Sequence, residues 1–221
     1  MAPSRVRAPT VDNRGGDVTD KIILDLCGGT GAWSRPYAEA GYDVRVITLP
    51  EYDVRTYQLP ENVYGILAAP PCTEFTRERT KSKIPRNPEA GMIIVKACLK
   101  IINYCNPTFY VIENPEGYLK DYLGKPDFIF HPWYFGNPWT KKTALWGRFR
   151  IPKIQYFHWA TVPKIKELYV RPGRPKPSIV YLHKSSKKYI PEYKNLNIKT
   201  DAEFRAITPP GFAQAFYEAN P

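Results

Sequence analysis

Short apolar runs alternating with amphipathic stretches organise the first half of the chain. Lys21 to Cys27 (KIILDLC) is a continuous apolar run bounded by polar residues and glycines, the pattern of a strand buried on both faces of a parallel sheet. Ala32 to Ala40 reads as a helix ended by Gly41. Tyr42 to Leu49 reads as a second strand, and Tyr64 to Ala68 as a third that Pro70 and Pro71 stop. Pro88 suits the first turn of a helix running to about Tyr104, Asn106-Pro107 breaks it, and Thr108 to Ile112 is a fourth strand. Strands alternating with helices predict an α/β fold with a doubly wound, mostly parallel sheet. Beyond Gly117 the periodicity weakens. Phe128 to Phe135 and Thr143 to Trp146 are strand candidates, Arg171 to Pro177 (RPGRPKP) is a loop by composition, and Pro209 to Glu218 is a terminal helix. This reading gives a polar, frayed N-terminal arm (residues 1–20) and one domain (21–221) with a basic appendage at about 156–200.

Composition narrows the class. With 221 residues, 43% of them hydrophobic, the chain can bury a real core. No apolar run has the length of a membrane span, and the first residues lack a signal-peptide core, so a cytoplasmic protein with no membrane partner is expected. Cys27, Cys72, Cys98 and Cys105 show neither metal-ligand spacing nor a disulfide framework, and no metal site is expected. The formal net charge is +11, and its placement matters more than its size. Between Ile151 and Thr200 eleven Lys and Arg residues face only Glu167 and Glu192, with seven aromatic residues interleaved. Such a segment suits phosphate contacts and base stacking; charge alone fits a solvated surface equally well.

Three motifs carry candidate chemistry. Asp25-Leu-Cys-Gly-Gly-Thr-Gly31 joins the first strand to its helix, where glycines let backbone N–H groups approach a ligand. Ala69-Pro-Pro-Cys72-Thr-Glu-Phe-Thr76 follows the third strand, at the sheet edge where ligands of open α/β folds bind. A lone cysteine is usually a small core residue, but two prolines fix Cys72 in a strand-end loop. Val111-Ile-Glu113-Asn114-Pro115 puts a carboxylate on that same edge.

Together, in this order, the three resemble the cytosine carbon-5 DNA methyltransferases, and the segment Tyr134 to Trp146 resembles the short phage-type members. The resemblance spans roughly Lys21 to Pro115. It implies a Rossmann-like fold, S-adenosylmethionine as cofactor and DNA as partner. It implies Cys72 as a nucleophile toward cytosine carbon 6, Glu113 as the group on ring nitrogen 3, and Asn114 as a residue that orients the loop. It assigns the cofactor to Asp25, Cys27, Gly28, Gly29, Gly31, Trp33, Glu51, Asp53 and Pro70, with Glu51 the candidate for the ribose and Asp53 near the adenine. The family's Gln-x-Arg-x-Arg motif is not recognisable; Arg148 and Arg150, or Lys141, Lys142 and Thr143, are offered in its place. Nucleic-acid contacts are expected from Arg77, Arg79, Lys81 and Lys83 after the catalytic loop, from these residues, and from Lys184, Lys187 and Lys188.

Other readings stay open. An exocyclic-amine methyltransferase would need a polar residue where Ala69 stands. RNA or a free nucleotide as substrate, and a non-catalytic nucleic-acid-binding protein on the same scaffold, are not separated by charge, because phosphates are common to DNA and RNA.

Overall fold

A computed structural model describes residues 20–79 and 82–221. Residues 1–19 of the expected arm, and Lys81 among the proposed nucleic-acid contacts, lie outside the described residues. Six strands form one sheet in the order β2-β1-β3-β4-β6-β5. β1 (Ile22–Leu26), β2 (Asp43–Ile47), β3 (Val63–Ala68) and β4 (Phe109–Pro115) are parallel, while β6 (Thr143–Arg148) runs antiparallel to both β4 and β5 (Phe128–Phe130). The fold is α/β and Rossmann-like, with a mostly parallel sheet.

β1 lies inside the sheet because Ile23, Leu24 and Leu26 are fully buried and point alternately to two cores. One core packs α2 (Pro88–Cys105) through Met92, Val95, Cys98, Ile101 and Ile102. Asn87 caps that helix by accepting from the Ala90 N–H at 2.9 Å, and Asn106 ends it in the left-handed region at φ 40°. The opposite face is covered by α5 (Pro210–Ala219), whose Phe212 and Phe216 pack with Trp33, Tyr37 and Phe130.

Several elements differ from the sequence expectation. The helix expected from Ala32 is only α1 (Arg35–Glu39), because Cys27, Gly29 and Gly31 take positive φ (59°, 56° and 68°) and keep the chain in a turn through Ser34. The strand expected over 128–135 stops at Phe130; Pro132, which fixes φ and has no N–H, opens a 3-10 turn through Phe135. After a short α3 (Lys120–Leu123) and β5, strand β6 reaches Arg148, two residues beyond its expected end. The helix α4 (Asp201–Ala206) was not expected, although Thr200 caps it by accepting from the Glu203 N–H at 3.1 Å.

The basic segment folds as consecutive 3-10 turns over a small core of its own, in which Leu168, Ile179, Leu182, Ile190 and Tyr193 meet Trp139, Phe204 and Ile207. Among the described residues no helix is long and apolar enough to cross a membrane, and no group of His, Cys, Asp or Glu could hold a metal ion.

Candidate active site

Register brings the three motifs together. Ile47, Leu26, Ala68, Ile112 and Trp146 form one row across β2, β1, β3, β4 and β6. The glycine turn leaves β1 one residue past this row, the Pro-Pro-Cys loop leaves β3 two residues past it, and Glu113 and Asn114 follow it directly on β4. Since neighbouring strands are about 4.8 Å apart, all three share one short edge. β6 runs the other way, so Thr143 lies opposite Pro115 and Lys141 arrives at this edge too.

The Cys72 loop is held from several sides. The buried Asn114 side chain donates from Nδ2 to the Pro70 carbonyl at 2.9 Å. The Cys72 carbonyl accepts from the N–H groups of Phe75 and Thr76 at 2.9 and 2.8 Å, closing a turn. Phe75 is fully buried, and its carbonyl accepts from the Tyr118 N–H at 2.8 Å. Gly117 permits that approach: a Cβ there would stand 2.2 Å from the Phe75 carbonyl oxygen. Cys72 itself stays half-buried. Burial pushes its thiol above the ordinary range, with Glu113 adding to the rise and Lys141 opposing it. Lys141 Nζ stands 3.7 Å from Glu113 Oε1, with both side chains mostly buried. Glu116 is flanked by Lys142 at 3.8 Å and Arg77 at 3.9 Å, on the solvent side of the same edge.

The glycine turn surrounds a second buried acid. Asp25 is fully buried; Oδ2 accepts from Ser34 Oγ at 2.6 Å, and Oδ1 has no partner among the described residues. A Cβ on Gly28 would stand 2.3 Å from the Asp25 carboxyl carbon, whereas one on Gly29 would meet nothing within 4 Å. The turn is thus tight on its sheet side and open outward. Burial raises the Asp25 carboxyl to about 6, with Ser34 opposing the rise. The folded value lies above the unfolded one, so this group's contribution to stability is full below about pH 4 and is lost as pH rises through about 6. From about pH 4 to 6 the wild type should therefore lose stability in thermal melts relative to Asp25→Asn, by an amount on the order of 3 kcal/mol. Parallel curves for the two proteins would rule this out.

Other residues assigned by resemblance sit differently. Trp33 is buried among Phe212 and Phe216, with Nε1 lacking a partner among the described residues. Asp53 binds Arg55 in a bidentate pair that holds its carboxyl at about 2, and Glu51 is exposed beside it. Cys27 lies beside Cys98 and packs against the core that α2 builds, which joins the glycine turn to that helix. Arg148 pairs with Tyr110, at the opposite end of β4 from Glu113, and its guanidinium donates to the Pro107 carbonyl. Arg150 is locked to the C-terminus, its backbone exchanging hydrogen bonds with the Asn220 side chain. Of the two offered substitutes for the missing Arg motif, only Lys141, Lys142 and Thr143 reach the site, because antiparallel β6 carries Arg148 and Arg150 away from it.

The proposed nucleic-acid contacts divide in the same way. Arg79 is largely buried against Glu74, donating to it at 2.6 Å, so it braces the loop. Arg77 and Lys142 are exposed apart from Glu116, and Lys83 is exposed. Lys184 and Lys187 donate to the carbonyls of Lys199 and Leu196 at 2.6 and 2.9 Å, inside the appendage, and Lys188 stacks on Tyr189. Lysine-to-alanine changes at 184 and 187 would therefore loosen the appendage as well as remove charge. The signal that sequence reasoning missed is Lys141's pairing with Glu113, which needed the antiparallel return of β6 to be seen.

No family model matches the chain. It is 27% identical, over a 150-residue alignment covering 56% of this chain and 69% of the relative, to the "Probable DNA (cytosine-5)-methyltransferase" of frog virus 3 (isolate Goorha). Among solved structures it matches one described as a "putative DNA modification methyltransferase encoded within prophage" of E. coli, with TM-score 0.43 and 16% identity over 58% of this chain. The matched part is 47% of that structure's chain.

Proposed function

We propose that the chain is a DNA cytosine-5 methyltransferase that uses S-adenosylmethionine and Cys72 as covalent nucleophile. The observation that carries this reading is the convergence of Cys72, the Glu113–Lys141 pair and the open glycine turn on one edge of the sheet. The viral relative supports the same class of reaction.

The glycine turn fits the cofactor's polar groups. Asp25 Oδ1 is a buried acceptor without a partner among the described residues, and Gly29 leaves open space at the turn's outer face. Asp25, Gly28, Gly29 and Gly31 would hold S-adenosylmethionine, with Asp53 beside them, and Cys27 and Pro70 supplying backbone walls. When bound, it supplies an electrophilic methyl group to cytosine carbon 5. Gly31→Val should abolish its binding for a local reason: φ is 68°, and a Cβ there already meets the Val46 methyl at 3.2 Å. Calorimetry that finds undiminished affinity in this variant would remove the turn from the site.

Cys72 supplies the other half of the chemistry. Its thiol gives up a proton, the sulfur bonds to carbon 6, and the carbon 5–carbon 6 electron pair becomes available at carbon 5. Glu113 stabilises the charge that reaches ring nitrogen 3 by hydrogen bonding there. A base then takes the carbon-5 proton, the electron pair left behind re-forms the carbon 5–carbon 6 double bond, and the carbon–sulfur bond breaks to free Cys72 as a thiolate. Reaching carbon 6 requires the cytosine to leave the stack. Lys141 favours the thiolate, so Lys141→Met should lower turnover at neutral pH and move the acidic limb of the pH–rate profile upward. An unmoved limb would count against an electrostatic role for Lys141.

The direct test is mass spectrometry of hydrolysed DNA after incubation with protein and isotope-labelled S-adenosylmethionine. Label in 5-methylcytosine is expected. Label on an exocyclic nitrogen, or only in RNA offered alongside, would overturn the proposal.

A further inference from the structure

We infer that residues 171–177 of the appendage form an arginine blade that reads the minor groove of A·T-rich duplex DNA; this rests on the proposal that the chain acts on DNA. Arg171, Pro172, Gly173, Arg174 and Pro175 are consecutive exposed residues. Gly173 sits at φ 74° with nothing within 4 Å of where a Cβ would be, so the bend of the loop is open to solvent on that side. Pro172, Pro175 and Pro177 hold their own φ and carry no N–H, which keeps the flanking backbone stiff and leaves it few donors to pair elsewhere.

The two guanidinium groups are placed in advance. Arg171 and Arg174 both lie over the Tyr181 ring, at 4.7 and 4.8 Å from its centre. Among the described residues neither has a carboxylate partner, and the hydrogen bond recorded for the pair is Arg174 to the Tyr181 hydroxyl at 2.9 Å. Each guanidinium has five N–H donors, so most remain free for a ligand. Stacking on one ring also lowers the entropy lost when the pair is ordered on a ligand.

The shape selects the groove. A minor groove about 6 Å wide excludes a helix but admits arginine side chains carried on an exposed turn such as this one. A·T tracts narrow it further and deepen its negative potential, which favours inserted arginine. A loop meant for phosphates alone would need neither the bare glycine bend nor paired arginines, since lysines on flexible stems serve as well. The blade also starts from the active edge. The Pro177 carbonyl accepts from both the N–H and the hydroxyl of Thr140, at 2.8 and 3.0 Å, and the next residue is Lys141, the partner of Glu113. The C-terminal end of the loop is therefore anchored one residue from the cation that pairs with Glu113.

The test is fluorescence anisotropy of the full chain on two short duplexes sharing a central cytosine step and differing only in A·T or G·C flanks. Wild type should bind the A·T-flanked duplex about tenfold more tightly. A bis-benzimidazole dye that fills A·T minor grooves should erase the difference. Arg171→Lys/Arg174→Lys keeps the charge and should lose most of the preference, and Arg171→Ala/Arg174→Ala should lose all of it with circular dichroism unchanged. Equal affinity of wild type for the two duplexes, an equal loss on both in the alanine variant, or equal competition by double-stranded RNA would overturn the inference. Binding is read without turnover, so a protein that shows the preference yet leaves no 5-methylcytosine once S-adenosylmethionine is added would count against the catalytic proposal alone.

Discussion

Cys72→Ala is expected to reduce methyl transfer to background while leaving the fold and cofactor affinity intact. Alanine cannot open the covalent route, and no other cysteine can replace it. Cys98 is fully buried in α2, Cys27 lies beside it at the opposite side of the turn, and Cys105 closes the same helix. Cys72 alone combines partial exposure with a neighbouring cation, Lys141, and a neighbouring acid, Glu113. DNA carrying 5-fluorocytosine should trap the wild type as a denaturation-resistant adduct, since fluorine at carbon 5 cannot leave as a proton does. The adduct should form more readily as pH rises, because burial holds the thiol above its ordinary range. Peptide mapping that places the adduct on Cys27, Cys98 or Cys105, or a Cys72→Ala protein with wild-type activity, would end the assignment.

The elements that the sequence predicted well are those in which local pattern and tertiary environment agree. β1 to β4 are apolar runs bounded by turn residues, and α2 has Pro88 in its first turn and Asn106 at its end. The misjudged elements are those decided by distant packing. Ala32 to Ser34 has a helical composition, yet the positive φ of Gly31 and the burial of Trp33 under α5 hold it in a turn. Nothing in Thr143 to Arg148 announces its direction, and that direction decides which basic residues reach the site: Lys141 does, whereas Arg148 and Arg150 do not. The burial of Trp33 likewise depends on Phe212 and Phe216, far away in sequence. The appendage has no helical or strand period to read because it is built from short 3-10 turns over a few buried side chains. The start of α4 is legible in Thr200-Asp-Ala-Glu203, where Thr200 accepts from the Glu203 N–H and Glu203 reaches back to the Lys199 N–H.

The second large effect is expected at Asn114, which under the proposed mechanism acts through the Cys72 loop. Its Nδ2 supplies the hydrogen bond to the Pro70 carbonyl, two residues before Cys72, and it is fully buried. Asn114→Ala would leave that carbonyl without its donor, at a cost of about 1–3 kcal/mol, and open a small void beside it. Asn114→Asp keeps the shape but turns an acceptor toward the carbonyl and buries a charge, so it should be no better tolerated. With the loop free to shift by a fraction of an ångström to an ångström, turnover should fall on the order of 100-fold. A purely structural role would lower the melting temperature and leave the active fraction with normal kinetics. A positioning role predicts more: kcat and the rate of 5-fluorocytosine adduct formation fall together in folded protein, while S-adenosylmethionine affinity, which the proposal assigns mainly to the glycine turn, falls far less. Both variants melting lower but showing wild-type kcat per folded molecule would reduce Asn114 to a packing residue.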